Sequence, residues 1–247
     1  MNSLALPTRK DEAFRYSDIE ALVDAPAREA VEAVTVAAGQ HFARQILNVA
    51  GVDEVVVLNL TLTLEAGAQA QVHVLNAGGR LGRIVLDVTL HDSADFSLGA
   101  VQLGTGTQTV ELITTVRHIE PNATSRQMVR SVLGGQATGS YLGKVAVARD
   151  AQKTDSEQSV KAMLLDRTAT ANAKPELEIY ADDVKCAHGA TVGELDKTAM
   201  FYLAARGLPP AEAKTLLLQA FIASVFEGAE GEEALTNAAL QKLGELV

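Results

Sequence analysis

From Val52 to Tyr180 the chain keeps a period of two, which constrains its fold more than anything else in the sequence. Leu58, Leu60, Leu62 and Leu64 alternate with Asn59, Thr61 and Thr63. Ile84, Leu86, Val88 and Leu90 alternate with Val85, Asp87 and Thr89, and Val110, Leu112, Thr114 and Val116 with Glu111, Ile113, Thr115 and Arg117. Side chains two apart on a strand leave the same face, so each run turns a mostly apolar face toward a core. Gly78-Gly79, Gly104-Thr105-Gly106 and Gly134-Gly135 punctuate the runs. No helical stretch long enough for a βαβ crossover interrupts them, which argues against a doubly wound sheet. Short strands with such breaks suit a sandwich, a barrel or a β-solenoid. No motif recurs at a fixed spacing, so the pattern alone does not choose.

The flanks read differently, and they divide the chain into 1–50, 51–190 and 191–247. Residues 1–50 mix polar and alanine-rich segments, with a short helix expected from Ser17-Asp18-Ile19-Glu20-Ala21-Leu22 and a break at Pro26. Residues 191–247 read as helical. Thr191-Val192-Gly193-Glu194 has the form of a capping box; Leu195, Ala199, Tyr202 and Leu203 share the face that follows, and Gly207 ends the helix. Pro209-Pro210 opens a second helix with Leu216, Leu217, Ala220, Phe221 and Val225 as its stripe. Glu232 to Val247 forms a third, with Leu235, Ala239 and Leu243. These stripes need a cover, from neighbouring helices or from a partner.

Composition narrows the function. With 247 residues, 47% of them hydrophobic, the chain can bury a sizeable core. A formal charge of -10 at pH 7 repels phosphate backbones, so nucleic-acid binding is not expected. One cysteine excludes a disulfide framework and paired-cysteine zinc sites. The absence of Trp leaves few stacking platforms for bases or sugars. Met1 to Lys10 does not read as a secretory signal, and no segment approaches a membrane span, so a cytoplasmic location is expected with no membrane partner. The P-loop, G-x-G-x-x-G, H-E-x-x-H and G-x-S-x-G motifs are all missing.

Two clusters carry chemistry. Cys186 and His188 are two apart, so on an extended segment they share a face. A thiol and an imidazole side by side suit a soft metal, or a thiolate–imidazole nucleophile. One Cys and one His do not close a four-ligand site, so a metal there needs further ligands. A small buried cysteine with a hydrogen-bonded histidine is the plainer alternative. Asp182-Asp183 is a poor acid/base dyad on a strand, where neighbours point to opposite faces, but a turn would let the pair bind a cation. His41, His73, His91 and His118 are scattered, and the alternation of His73 with Val72 and Val74 turns it toward solvent.

The stretch KPELEIYADDVKCAHGATVGELD from Lys174 to Asp196 resembles the signature of the SufB/SufD family of SUF iron–sulfur cluster assembly scaffolds. The resemblance extends through HIEPNATSRQMVRSVLGG from His118, GKVAVARDAQKTDSEQ from Gly143, Met200 to Gly207, and the opening Leu6 to Tyr16. It covers about half the chain. His188-Gly-Ala-Thr, without the glutamate usual in SufB, and the single cysteine are closer to SufD. Ala187 stands where family members commonly have serine.

The resemblance implies a mainly β fold: a right-handed parallel β-helix core with a short N-terminal helical segment and a C-terminal helical region. It implies a non-catalytic scaffold that pairs with a SufB-like subunit through the β-helix and docks a SufC-like ABC-type ATPase through C-terminal helices. Tyr202, Leu203, Leu217, Phe221 and Val225 are the expected docking residues. His188, and less firmly Cys186, become a half-site for transient iron or a nascent iron–sulfur cluster, with no stably bound cofactor. A homodimer is expected in isolation. The competing readings are a β-helix polysaccharide lyase or hydrolase using Asp182 and Asp183, and a homodimeric interaction module without metal chemistry.

Overall fold

The computed structural model describes residues 8, 10–24 and 28–246. Among these residues twelve strands form two six-stranded parallel sheets. One contains β1 (Arg28–Val36), β3 (Val55–Leu64), β5 (Leu81–Leu90), β7 (Thr109–His118), β9 (Thr138–Val147) and β11 (Thr170–Ile179). The other contains β2 (His41–Asn48), β4 (Gln69–Asn76), β6 (Asp95–Gly104), β8 (Thr124–Leu133), β10 (Asp155–Leu164) and β12 (Lys185–Gly193). Each strand pairs with the strand two places along the chain, so each successive pair of strands is one coil of a parallel β-solenoid. This decides among the three architectures that alternation left open. The coils differ in length: Val55 pairs with Leu81, but Leu142 with Lys174. That is why no motif recurs at a fixed spacing.

The alternating residues meet in the lumen. Leu60, Leu62, Leu64, Ile84, Leu86, Val88, Leu90, Leu112 and Val116 from one sheet pack with Val72, Val74, Phe96, Leu98 and Val129 from the other. Burying an aliphatic or aromatic side chain of this size contributes about 1.5–3 kcal/mol, which makes the lumen the main source of stability. Two glycines show how tightly the coils turn. A Cβ on Gly78 would lie 2.2 Å from the Ala50 backbone nitrogen. Gly135 has φ +62°, and its Cβ would lie 2.8 Å from the Gly106 nitrogen on the coil before.

The solenoid starts earlier than the 1–50 and 51–190 division supposed, since β1 and β2 already form a coil. Among the described residues that coil has a neighbour on one side only, so its strands need little apolar patterning; Val31 is 77% exposed. The expected helix forms as α1 (Ile19–Asp24), with Ala21 packed on Val55 and Leu81. Its break at Pro26, the opening of Leu6 to Tyr16 at Leu6, Pro7 and Arg9, and Met1 to Pro7 lie outside the described residues.

At the other end, β12 runs through Thr191 to Gly193, paired with β10. The ladder takes the residues of the supposed capping box. Asp196 caps α2 (Lys197–Ala204) instead, accepting from Thr198 N at 2.8 Å. Pro210 occupies the first turn of α3 (Pro210–Ala223) as expected, and α4 (Glu232–Gly244) buries Leu235, Ala239 and Leu243. Both helices lie on the outer face of the β12-side sheet, where Leu218, Ile222, Val225, Phe226, Leu235, Ala239 and Leu243 cover Leu75, Val101, Leu103 and Val132. His73 is therefore half-buried, edge-on to Phe226 with ring centroids 6.4 Å apart, rather than facing open solvent.

Candidate functional site

The last coil, β11 and β12, has no coil stacked on it among the described residues. β11 pairs only with β9 and β12 only with β10, which leaves one backbone edge of each strand unpaired. Cys186 and His188 stand on β12 opposite Ser156 and Gln158 of β10. Cys186 packs against the lumen cluster. Strand alternation turns His188 to the same inner face, where its ring is exposed because nothing is stacked above it.

Beneath these two residues the lumen changes from apolar to polar. The inward column that ends at Cys186 runs Ala70, Phe96, Ser125, Ser156. The column that ends at His188 runs Val72, Leu98, Gln127, Gln158. Ser125 Oγ lies 2.9 Å from Ser156 Oγ and 2.9 Å from His118 Nε2, which reaches across from the opposite sheet. Gln127 Oε1 accepts from Thr114 Oγ1 at 2.8 Å and from the Tyr141 hydroxyl at 3.2 Å. That hydroxyl in turn accepts from Gln158 Nε2 at 3.1 Å. Gly143 makes room for the phenol, since a Cβ there would sit 2.1 Å from its oxygen. Among the described residues, His118 Nδ1, Gln127 Nε2 and Gln158 Oε1 are buried without a hydrogen-bond partner. Such groups cost about 1–3 kcal/mol each, so three of them in one part of the lumen call for a reason.

Burial sets the protonation states here. It pushes the His118 imidazole down to about 4 and the Tyr141 phenol up to about 12, so both stay neutral near pH 7. Burial also pushes the Cys186 thiol up; the Ser156 N–H opposes the rise and the Asp155 charge adds to it. His188 is not among the groups that move the thiol. Burial thus favours the neutral thiol of Cys186, and a nearby cation or metal would favour its thiolate.

The other candidates fall in less committed places. Asp183 pairs with Lys153, and its backbone is held by Gln152 Oε1 at 2.9 Å and by the Lys153 N–H at 2.7 Å, so it serves the turn before β12. Asp182 is exposed. No three His, Cys, Asp or Glu side chains among the described residues are grouped to hold a metal. Of the expected docking residues, Tyr202 is 54% exposed, Leu203, Leu217 and Phe221 are half-buried, and Val225 is 4% exposed and turned into the sheet. Val225 is thus part of the helix–sheet core and not an outward docking residue. The helices instead present Phe201, Tyr202 and Leu216. An apolar groove of about 250 Å³ runs beside Leu216, between Ala220, Ala223 and Phe226 of the α3 side and Thr236 and Leu240 of α4. Sequence reasoning missed Phe201 and the polar columns, although Ser125, Gln127, Ser156 and Gln158 all lie in motifs that carry the family resemblance.

Fold and site together define a parallel β-solenoid protein with a Cys-x-His pair on the inner face of its open end. The chain belongs to the SufBD family of the SUF system: the family described as "SUF system FeS cluster assembly, SufBD core domain" matches residues 19–221. It is 30% identical to the iron–sulfur cluster assembly protein SufD of Escherichia coli over 185 residues, which is 74% of this chain and 44% of that protein. An iron–sulfur cluster assembly SufBD family protein of Synechocystis is 32% identical over 68% of this chain and 38% of its own length. Protein ABCI7, chloroplastic, of Arabidopsis thaliana is 34% identical over 66% and 35%. The chain thus spans less than half the length of these relatives.

Proposed function

We propose that the chain is a non-enzymatic scaffold subunit of cytoplasmic iron–sulfur cluster assembly, close to SufD. In this reading the open end of the solenoid pairs with a SufB-like subunit, and the nascent cluster is the cargo handled there. The observation that carries it is the coincidence, in one coil left uncovered among the described residues, of the chain's single cysteine, an exposed histidine and two strand edges unpaired there. Soft ligands on such an edge, completed by a second subunit, hold a cluster without enclosing it, and separating the subunits releases it. His188 supplies an imidazole nitrogen to the cargo, and Cys186 supplies sulfur once the metal displaces its proton.

The C-terminal helices dock a SufC-like ATPase by the exposed Phe201, Tyr202 and Leu216 and the groove beside them. Aromatic residues exposed to this degree on short helices fit a partner-binding role. When no SufB-like partner is present, a second copy of the chain covers the open end, which gives the homodimer.

Co-expression with SufB-like and SufC-like partners, followed by size-exclusion chromatography, tests the reading. Wild type should elute with both. Tyr202→Glu should lose the ATPase alone, and Val192→Glu, which places a charge on the open end, should lose the SufB-like subunit alone. Folded protein that elutes by itself in every case would refute the scaffold assignment.

A further inference from the structure

The polar column under His188 ends in an atom with nothing to do. In the structure that atom is Gln158 Oε1. Thr114 Oγ1 and the Tyr141 hydroxyl both donate to Gln127 Oε1, so the Tyr141 oxygen is left as an acceptor. Gln158 meets it with Nε2, at 3.1 Å. The Gln158 carboxamide is thereby held with its oxygen turned away from Tyr141. That oxygen is buried and unpartnered among the described residues, in a side chain that is 1% exposed. The next residue in the same inward column, one strand further on, is His188. Register neighbours in a parallel ladder are about 4.8 Å apart, within reach of two long side chains stacked on one face.

A histidine that gives one ring nitrogen to a metal almost always donates the N–H of the other to a carbonyl or carboxylate, and that bond sets the tautomer and the ring orientation. We propose that Gln158 is the positioning residue for His188: its free carboxamide oxygen takes one imidazole N–H and presents the other ring nitrogen, unprotonated, at the open end of the lumen. Tyr141, Gln127 and Thr114 act one step further back, as the brace that holds the Gln158 amide nitrogen and leaves its oxygen free for His188. The cost of burying an unpaired carbonyl is then offset by the bond to His188. The inference rests on the proposed function only in taking His188 as the residue that meets the cargo.

The imidazole tautomer tests it directly in the whole 247-residue chain, without partners or metal. The protein labelled with ¹⁵N-histidine has five histidines, and His188→Ala identifies the signals of His188 by difference. Long-range ¹H–¹⁵N spectra should show wild-type His188 as a single neutral tautomer. Gln158→Met, which keeps the volume but removes the acceptor, should give the mixture of tautomers shown by an unconstrained histidine side chain. Gln158→Glu, which keeps an acceptor, should restore a single form.

Tyr141→Phe is a second route, because it frees the amide to turn while leaving the ring packed, and it should also give the mixture. A tautomer mixture in wild type, or a single tautomer surviving in both Gln158→Met and Tyr141→Phe, overturns the proposal. In the reconstituted complex, Gln158→Met should slow cluster assembly by about 10-fold, the usual scale for residues that orient a metal ligand. Should the tautomers respond as expected while His188→Ala leaves assembly unchanged, the positioning role stands and the reading of His188 as a cargo ligand falls.

Discussion

His118 is buried in the polar part of the lumen beside Ser125, and its burial carries a thermodynamic signature. The unfolded chain takes up its proton near 6.5, the folded chain only near 4. Between those values the unfolded state binds more protons, so stability falls as the pH drops through that window. The full contribution is present above about 6.5 and amounts to about 3 kcal/mol from a shift of this size. Urea unfolding of wild type at pH 7 and pH 4 should show that loss among its acid effects. His118→Gln should lack this part of the loss, and an identical pH dependence in the two proteins would contradict the assignment.

These residues also explain what the sequence conceals. Cys186-x-His188 can be read from spacing. The support beneath it cannot, because Ser125, Ser156, Gln127 and Gln158 stand at inward positions where alternation predicts apolar side chains. Their partners are set by coil register, and coil length varies.

At the scale of elements, periodicity is legible where a strand has a coil on either side. β3, β5 and β7 bury the alternating residues that the pattern marks out. β1, β2 and β12 border the ends of the described stack; their exposed faces removed the selection for apolar residues, so the first two read as part of a helical flank and the end of the third as a helix cap. The helical stripes illustrate a different loss. Leu235, Ala239 and Leu243 are buried as the spacing suggests, whereas α3 turns Ala213, Leu218 and Ile222 inward and leaves Leu216 46% exposed. A run of three leucines at 216–218 fits more than one face of a helix, and only packing on Leu75, Val101 and Val132 selects among them.

Leu235→Ala should accordingly cost about 2–5 kcal/mol, read by denaturant unfolding, because it empties a fully buried site between α4 and the sheet. Phe201→Ser, at a site 75% exposed, should change the stability of the isolated chain by less than about 0.5 kcal/mol and yet weaken ATPase co-elution. A large loss of stability from the second change would mean that Phe201 packs within the chain.

Across the whole molecule, a stack of coils carries Cys186 and His188 on its last described coil and helices on its flank. The N-terminal segment ties the stack together from outside. Arg83 pairs with Glu111 at 2.5 Å, donates to the Ala13 carbonyl at 2.8 Å and stacks on Phe14 at 4.1 Å, while Ser17 Oγ donates to Glu111 at 2.7 Å. Further along, Glu12 meets Lys174 of the terminal coil. Breaking a buried pair of this kind by removing one partner costs about 3–5 kcal/mol, so Glu111→Ala should lower the melting temperature markedly in calorimetry. Glu12→Gln, at an exposed pair, should hardly change it.

In the proposed function the open end handles a nascent cluster through His188. The most direct test is cluster formation on the purified complex with SufB-like and SufC-like partners, supplied with iron, a sulfur source and ATP and followed by visible absorption. His188→Ala should assemble with wild-type stoichiometry of subunits but form the iron–sulfur chromophore at least about 10-fold more slowly. An intact His188→Ala complex that builds the chromophore at the wild-type rate would contradict the account.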